Sequence, residues 1–156
     1  LTAWLVIRNM LHDDQERRRQ DLLLHTVQTV TPVRLQAYER VVLFLERITP
    51  ESLIMRTARP DMTAQQLQSA LVTSVSSEYE HNLSQQIYMT GEAWEMVKNA
   101  RGTVVQLINR VASQVPPTAT GEELSRMLLE EVMELDTEPT KIAIAYIKSE
   151  LARIMG

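Results

Sequence analysis

Apolar positions along this chain recur three and four residues apart, the period of an amphipathic helix, and no stretch keeps the two-residue alternation of a strand. In RLQAYERVVLFLERI, Ala37, Tyr38, Val41, Phe44, Leu45 and Ile48 fall on one side. Gln36, Glu39, Arg40, Glu46 and Arg47 fall on the other, with Leu43 stranded among them. Over 91–114, Trp94, Val97, Ala100, Val104, Leu107, Ile108 and Val111 oppose Glu95, Asn99, Gln106 and Arg110. Such helices bury one stripe and leave the other side wet. KIAIAYIKSELARIM is apolar over a wider arc, which predicts a central position for the last helix.

Punctuation divides the pattern into helices near 2–29, 33–48, 50–56, 64–88, 91–114, 121–135 and 138–155. Thr31-Pro32 and Thr49-Pro50 place a capping hydroxyl before a proline at the first helical position, where its missing N–H costs nothing. Thr63-x-x-Gln66 and Thr120-x-x-Glu123 read as capping boxes, in which the Thr hydroxyl and the later side chain each satisfy a backbone N–H. Thr90-Gly91 and Asp136-Thr137-Glu138-Pro139 mark two further starts, and Pro60 and Pro116-Pro117 fall in connections. Short connections favour antiparallel neighbours. No internal repeat is visible. The fold expected is all-α, a bundle of about five to six helices with an N-terminal helical stalk. Residues 1–30 are expected to form the end of a membrane helix plus the charged stalk, and 31–156 the bundle domain.

Composition sharpens this picture. Hydrophobic residues at 44% and charged residues at 23% suit a folded domain, and only four glycines and six prolines interrupt it. There is no cysteine, so disulfides, thiolate metal sites and cysteine nucleophiles are excluded. A net charge of −4 argues against general nucleic-acid binding.

The opening stretch, LTAWLVIRNMLHDDQERRRQ, bears on location. Leu1, Trp4, Leu5, Val6 and Ile7 are too few to cross a bilayer, which needs about 20 apolar residues. They fit the last turns of such a span, with Trp4 at the interfacial aromatic level and Arg8 marking the cytoplasmic side. The expectation is therefore an inner-membrane, single-pass protein whose helical domain is cytoplasmic. The charges at 13–21 are mixed, so a polybasic lipid-binding patch is not expected.

Candidate chemistry is sparse. Glu78-x-x-His81 has the spacing by which some bundles set a carboxylate and an imidazole on one metal, but those sites need a second such pair. His12 and His25 have no Glu three residues earlier. On a helical wheel the stripe Val72, Val75, Tyr79, Leu83 and Ile87 lies about 170° from His81, so the pair faces water or a partner. The acidic run Glu122, Glu123, Glu130, Glu131, Glu134, Asp136 and Glu138 reads as the solvated side opposite Leu124, Leu128, Val132 and Leu135. Met127, Met133 and Met155 read as core filling, and Arg101 as an ion-paired or snorkelling intruder on an apolar side. No phosphate loop, dinucleotide fingerprint or nucleophile elbow occurs, so no catalytic residue, cofactor or small-molecule substrate is expected.

Three segments, RLQAYERVVLFLERITPESLIMR, EYEHNLSQQIYMTGEAWEMVKNA and PPTATGEELSRMLLEEVMEL, resemble a family of uncharacterised Bacteroidota proteins with one N-terminal transmembrane helix and a helical cytoplasmic domain. The similarity covers the chain from about Arg34 onward and implies that LTAWLVI is the cytoplasmic end of the membrane helix. It carries over no catalytic residue. The expected function is a membrane-tethered scaffold or accessory subunit of a larger assembly, with a protein partner or a second copy. Contacts are expected at Leu43, Ser77, His81, Ser84 and Gln85. The alternatives are a metal-binding or enzymatic bundle using Glu78 and His81, and a soluble bundle that self-associates through Leu1 to Leu11.

Overall fold

A computed structural model describes the backbone of residues 1–156 and every side chain except those of residues 26–30. Among the described residues the chain is all-helical, with seven helices where about five to six were expected. These are α1 Thr2–Arg47, α2 Pro50–Thr57, α3 Ala64–Asn82, a 3₁₀ helix Leu83–Tyr88, α4 Gly91–Gln114, α5 Gly121–Glu134 and α6 Pro139–Met155. The chain divides into two compact units, Leu1–Gln36 and Ala37–Gly156. Helix α1 supplies the whole of the first and, from Ala37, the opening element of the second.

No helix among the described residues is long and apolar enough to cross a membrane, which overturns the expected single-pass inner-membrane placement. Helix α1 has 46 residues, but Asp13, Asp14, Glu16, Arg17, Arg18, Arg19 and Asp21 interrupt its apolar stretches. Charges in the hydrocarbon layer are costly enough that such a segment does not insert.

Helix α1 also runs on through Pro32, where a boundary between two helices was expected. A Thr-Pro pair permits a helix start without forcing one. At Thr49-Pro50 the chain does turn, and the Thr49 hydroxyl accepts from the Ser52 N–H at 3.3 Å. The other caps fall where the hydroxyls predict. Thr63 and Thr120 form complete capping boxes with Gln66 and Glu123, and Thr90 accepts from the Ala93 N–H at 3.1 Å.

The two capping boxes meet. Thr63 and Thr120 form a single antiparallel bridge, with the Ala64 N–H donating to the Ala119 carbonyl at 3.0 Å and the Gly121 N–H to the Met62 carbonyl at 2.8 Å. The starts of α3 and α5 are thus tied by backbone bonds, which fixes where the two helices begin relative to each other.

The core lies in Ala37–Gly156. It combines Tyr38, Val41, Phe44 and Leu45 of α1, and Ile48 just after it, with Leu53, Leu67, Leu71 and Val75, and with Val97, Leu107 and Ile108 of α4. Leu124 and Leu128 of α5 and Ile144 and Ile147 of α6 complete it. The predicted stripes of α1 and α4 are all buried. Helix α6 is not central: Ala143, Ile144 and Ile147 are buried, but Ile142, Ile154 and Met155 are exposed. Met133 and Met155 likewise lie in solvent instead of filling the core.

The helix expected over 64–88 changes period at Asn82. Its side-chain amide donates to the Glu78 carbonyl at 2.8 Å, and its backbone sits at φ −109°, ψ 3°. Side-chain bonding to the carbonyl four residues back competes with the α-helical ladder. The tighter 3₁₀ winding rotates the following residues, so Ile87, predicted on the buried stripe, is 75% exposed.

Candidate functional site

The N-terminal unit has an unusual surface. Every residue from Leu1 to His25 is exposed, including Leu1, Trp4, Leu5, Val6, Ile7, Met10, Leu11, Leu22, Leu23 and Leu24. Arg8, which sequence reasoning assigned to a membrane edge, lies over the Trp4 ring at 5.0 Å. Cation–π pairs of that kind are ordinary at exposed sites. A helix that buries none of these side chains within its own chain has apolar surface available for another molecule.

In the second unit, the residues proposed for partner contact separate into two groups. Leu43 is 59% exposed between charged neighbours on α1. Ser77, His81 and Ser84 are exposed and Gln85 half-buried around the junction of α3 with the 3₁₀ helix.

Glu78 is already engaged. The Arg47 guanidinium, in the last turn of α1, donates to Glu78 Oε1 through Nε at 2.8 Å and through Nη2, and Arg56 Nη1 of α2 reaches the same oxygen at 3.3 Å. Arg56 Nη2 also donates to the Arg47 backbone carbonyl, satisfying an otherwise orphaned acceptor at the end of α1. The hydrogen bond from Arg47 holds the Glu78 carboxyl below its usual range. Partial burial opposes this, and the charges of Arg47 and Arg56 reinforce it. The same pair raises the Arg47 guanidinium. One carboxylate oxygen therefore joins α1, α2 and α3. Among the described residues, no group of three or more His, Asp or Glu side chains could hold a metal ion.

A shallow groove of about 690 Å³ runs beside this cluster, lined by Arg56, Arg59, Met62, Ser69, Thr73 and Ser77. The Arg56 guanidinium in it is spent on Glu78 and Arg47, which leaves Arg59 and hydroxyls.

The feature sequence reasoning missed is Glu150. It is 6% exposed, and its carboxylate accepts from the Tyr38 hydroxyl at 2.6 Å and from Thr90 Oγ1 at 2.5 Å. A buried carboxylate is tolerable when donors satisfy it. Thr90 does double duty, capping α4 with its oxygen and giving its proton to Glu150. The three residues tie α1, the start of α4 and α6 together. The arrangement holds the three helices in place. A signal was present in the sequence: Glu150 follows Ala143 and Ile147 at helical spacing on the buried side of α6.

Arg101 also finds a different partner from the one expected. Its guanidinium lies 4.3 Å over the Tyr79 ring, which stacks with Trp94 at 5.7 Å and tilts against Phe44 at 6.1 Å. Tyr146 donates to Glu92 at 2.9 Å, and that hydrogen bond, ahead of any burial, raises its phenol.

Fold and surface together define a cysteine-free, multi-helix protein with, among the described residues, one buried carboxylate and an exposed, apolar-rich N-terminal stretch of α1. The chain belongs to a family of unknown function, DUF7935, whose model matches residues 1–154. The match includes the N-terminal unit. That the family is uncharacterised agrees with the expectation; its placement among Bacteroidota and the transmembrane helix expected with it are not supported. No curated protein and no solved structure matches the chain.

Proposed function

We propose that this protein is a helical interaction module, an accessory or scaffold subunit of a larger assembly, with the N-terminal half of α1 as its assembling element. The observation that carries the reading is the complete exposure of Leu1 to His25 on a helix that displays Trp4, Ile7, Met10 and Leu11. Isolated helices are marginal in water, and most helical stability in proteins comes from packing an apolar side. A helix without such packing in its own chain gains it from another molecule. The second unit has its own core, and the Glu150 and Glu78 clusters tie its helices together.

The test is the size of the native complex. Tagged full-length protein in a cell extract is compared by native electrophoresis with the Val6→Glu, Met10→Glu variant. Wild type is expected in a species well above monomer size, and the variant at monomer size. Monomer-sized migration of both overturns the reading.

A further inference from the structure

The assembling helix carries a seam whose spacing alternates by three and four residues: Ala3, Val6, Met10, Asp13, Arg17, Gln20 and Leu24. That is the a/d repeat of a coiled coil. Val6, Met10 and Leu24 on it are 57%, 67% and 62% exposed. Its ends carry Ala3, Val6, Met10 and Leu24, and its middle is Asp13, then Arg17 one turn later, then Gln20. On the neighbouring side of the helix, Asp14 pairs with Arg18 at 3.8 Å, whereas Asp13 and Arg17 have no ion pair among the described residues.

We infer that this seam docks against the same seam of a second copy of the chain, running antiparallel. The charge order selects both the occupant and its direction. In a parallel pair, like positions meet, so Asp13 faces Asp13 and Arg17 faces Arg17, which is repulsive at both layers. Run antiparallel, the seam is self-complementary. Asp13 of each copy faces Arg17 of the other, giving two reciprocal ion pairs about the dyad. In the same register Val6 faces Leu24 and Met10 faces Gln20. A polar layer inside an apolar seam is a device for fixing register and orientation. The interface is isologous, as a two-fold dimer requires.

This inference rests on the interaction-module reading and specifies its partner. The chain lacks cysteine, so introduced cysteines report without background. Val6→Cys and Leu24→Cys chains are mixed under mild oxidation. The expected product is a disulfide between position 6 of one chain and position 24 of the other, with neither variant linking to itself. In parallel, purified full-length protein is sized by sedimentation at micromolar concentration. A mass near twice 17.9 kDa is expected for wild type. Asp13→Arg or Arg17→Asp alone is expected to weaken the dimer by roughly tenfold or more, and the double exchange to restore it.

Self-linking of Val6→Cys, or a double exchange that restores nothing, overturns the antiparallel pair. A purified wild-type monomer that still enters a large native complex in extract overturns the second copy as partner but leaves the interaction module standing. Monomers in both settings overturn both.

Discussion

Glu150 shows how much a single side chain can organise here. Two hydroxyls from two other helices converge on it, and a hydrogen bond to a charged group contributes about 1.5–3 kcal/mol. Tyr38→Phe is therefore expected to lower stability by about 1.5–3 kcal/mol, seen as a lower urea midpoint at unchanged slope. Thr90→Ala removes both a cap and a donor, and Thr49→Ala removes a cap alone. The first is expected to cost about 2–3 kcal/mol and the second about 1 kcal/mol. Equal costs would show that the Thr90–Glu150 bond contributes nothing. Glu78 gives the molecule an acid-sensitive joint. Its carboxyl is depressed in the folded chain, so its contribution is complete above the ordinary carboxylate value of about 4.3 and is lost as pH falls through the lower folded value. The difference in unfolding midpoint between wild type and Glu78→Gln is expected to be constant near neutrality and to shrink below about pH 4.

At the scale of elements, the caps were legible and the interruptions were not. A hydroxyl before a helix with Gln or Glu three residues on carries its own geometry, and Thr63 and Thr120 needed nothing from the rest of the fold to be read correctly. Pro32 and Asn82 depend on what the backbone does around them. A proline within a helical stretch leaves a choice between break and continuation, and one amide bonding its fourth-preceding carbonyl ended α3 without any change in composition. The bridge between Thr63 and Thr120 was invisible for a related reason: it joins segments 57 residues apart (120 − 63) through backbone atoms that every residue carries. Glycine makes the bridge testable. A Cβ on Gly121 meets the Met62 carbonyl oxygen at 3.1 Å and Met62 Cβ at 3.3 Å, whereas one on Gly102, inside α4, meets nothing within 4 Å. Gly121→Ala is expected to cost about 1–2 kcal/mol by crowding the bridge. Gly102→Ala is expected to gain about 0.5–1 kcal/mol by removing a helix-weakening residue. Thermal melts of the two variants should move in opposite directions.

For the whole molecule, the division of the chain into Leu1–Gln36 and Ala37–Gly156 sets what each part can do alone. The second unit holds the entire buried core. The first holds no buried side chain among those described, so its helical state draws no stability from a core of its own. If a second copy supplies the packing, helix content in the first unit is a binding isotherm and that of the second is not. Diluting wild-type protein through its dimer dissociation constant is then expected to reduce the far-UV helical signal by at most the first unit's share of the helical residues. The principal melting transition, set by the core, should not move. Val6→Glu, Met10→Glu and Leu24→Glu together should produce the diluted spectrum at every concentration, because three buried-seam positions then carry unpaired acids. A triple variant whose helical signal and melting temperature fall together would mean that the first unit is stabilised by the bundle of its own chain. A variant indistinguishable from wild type would mean that the seam carries no association.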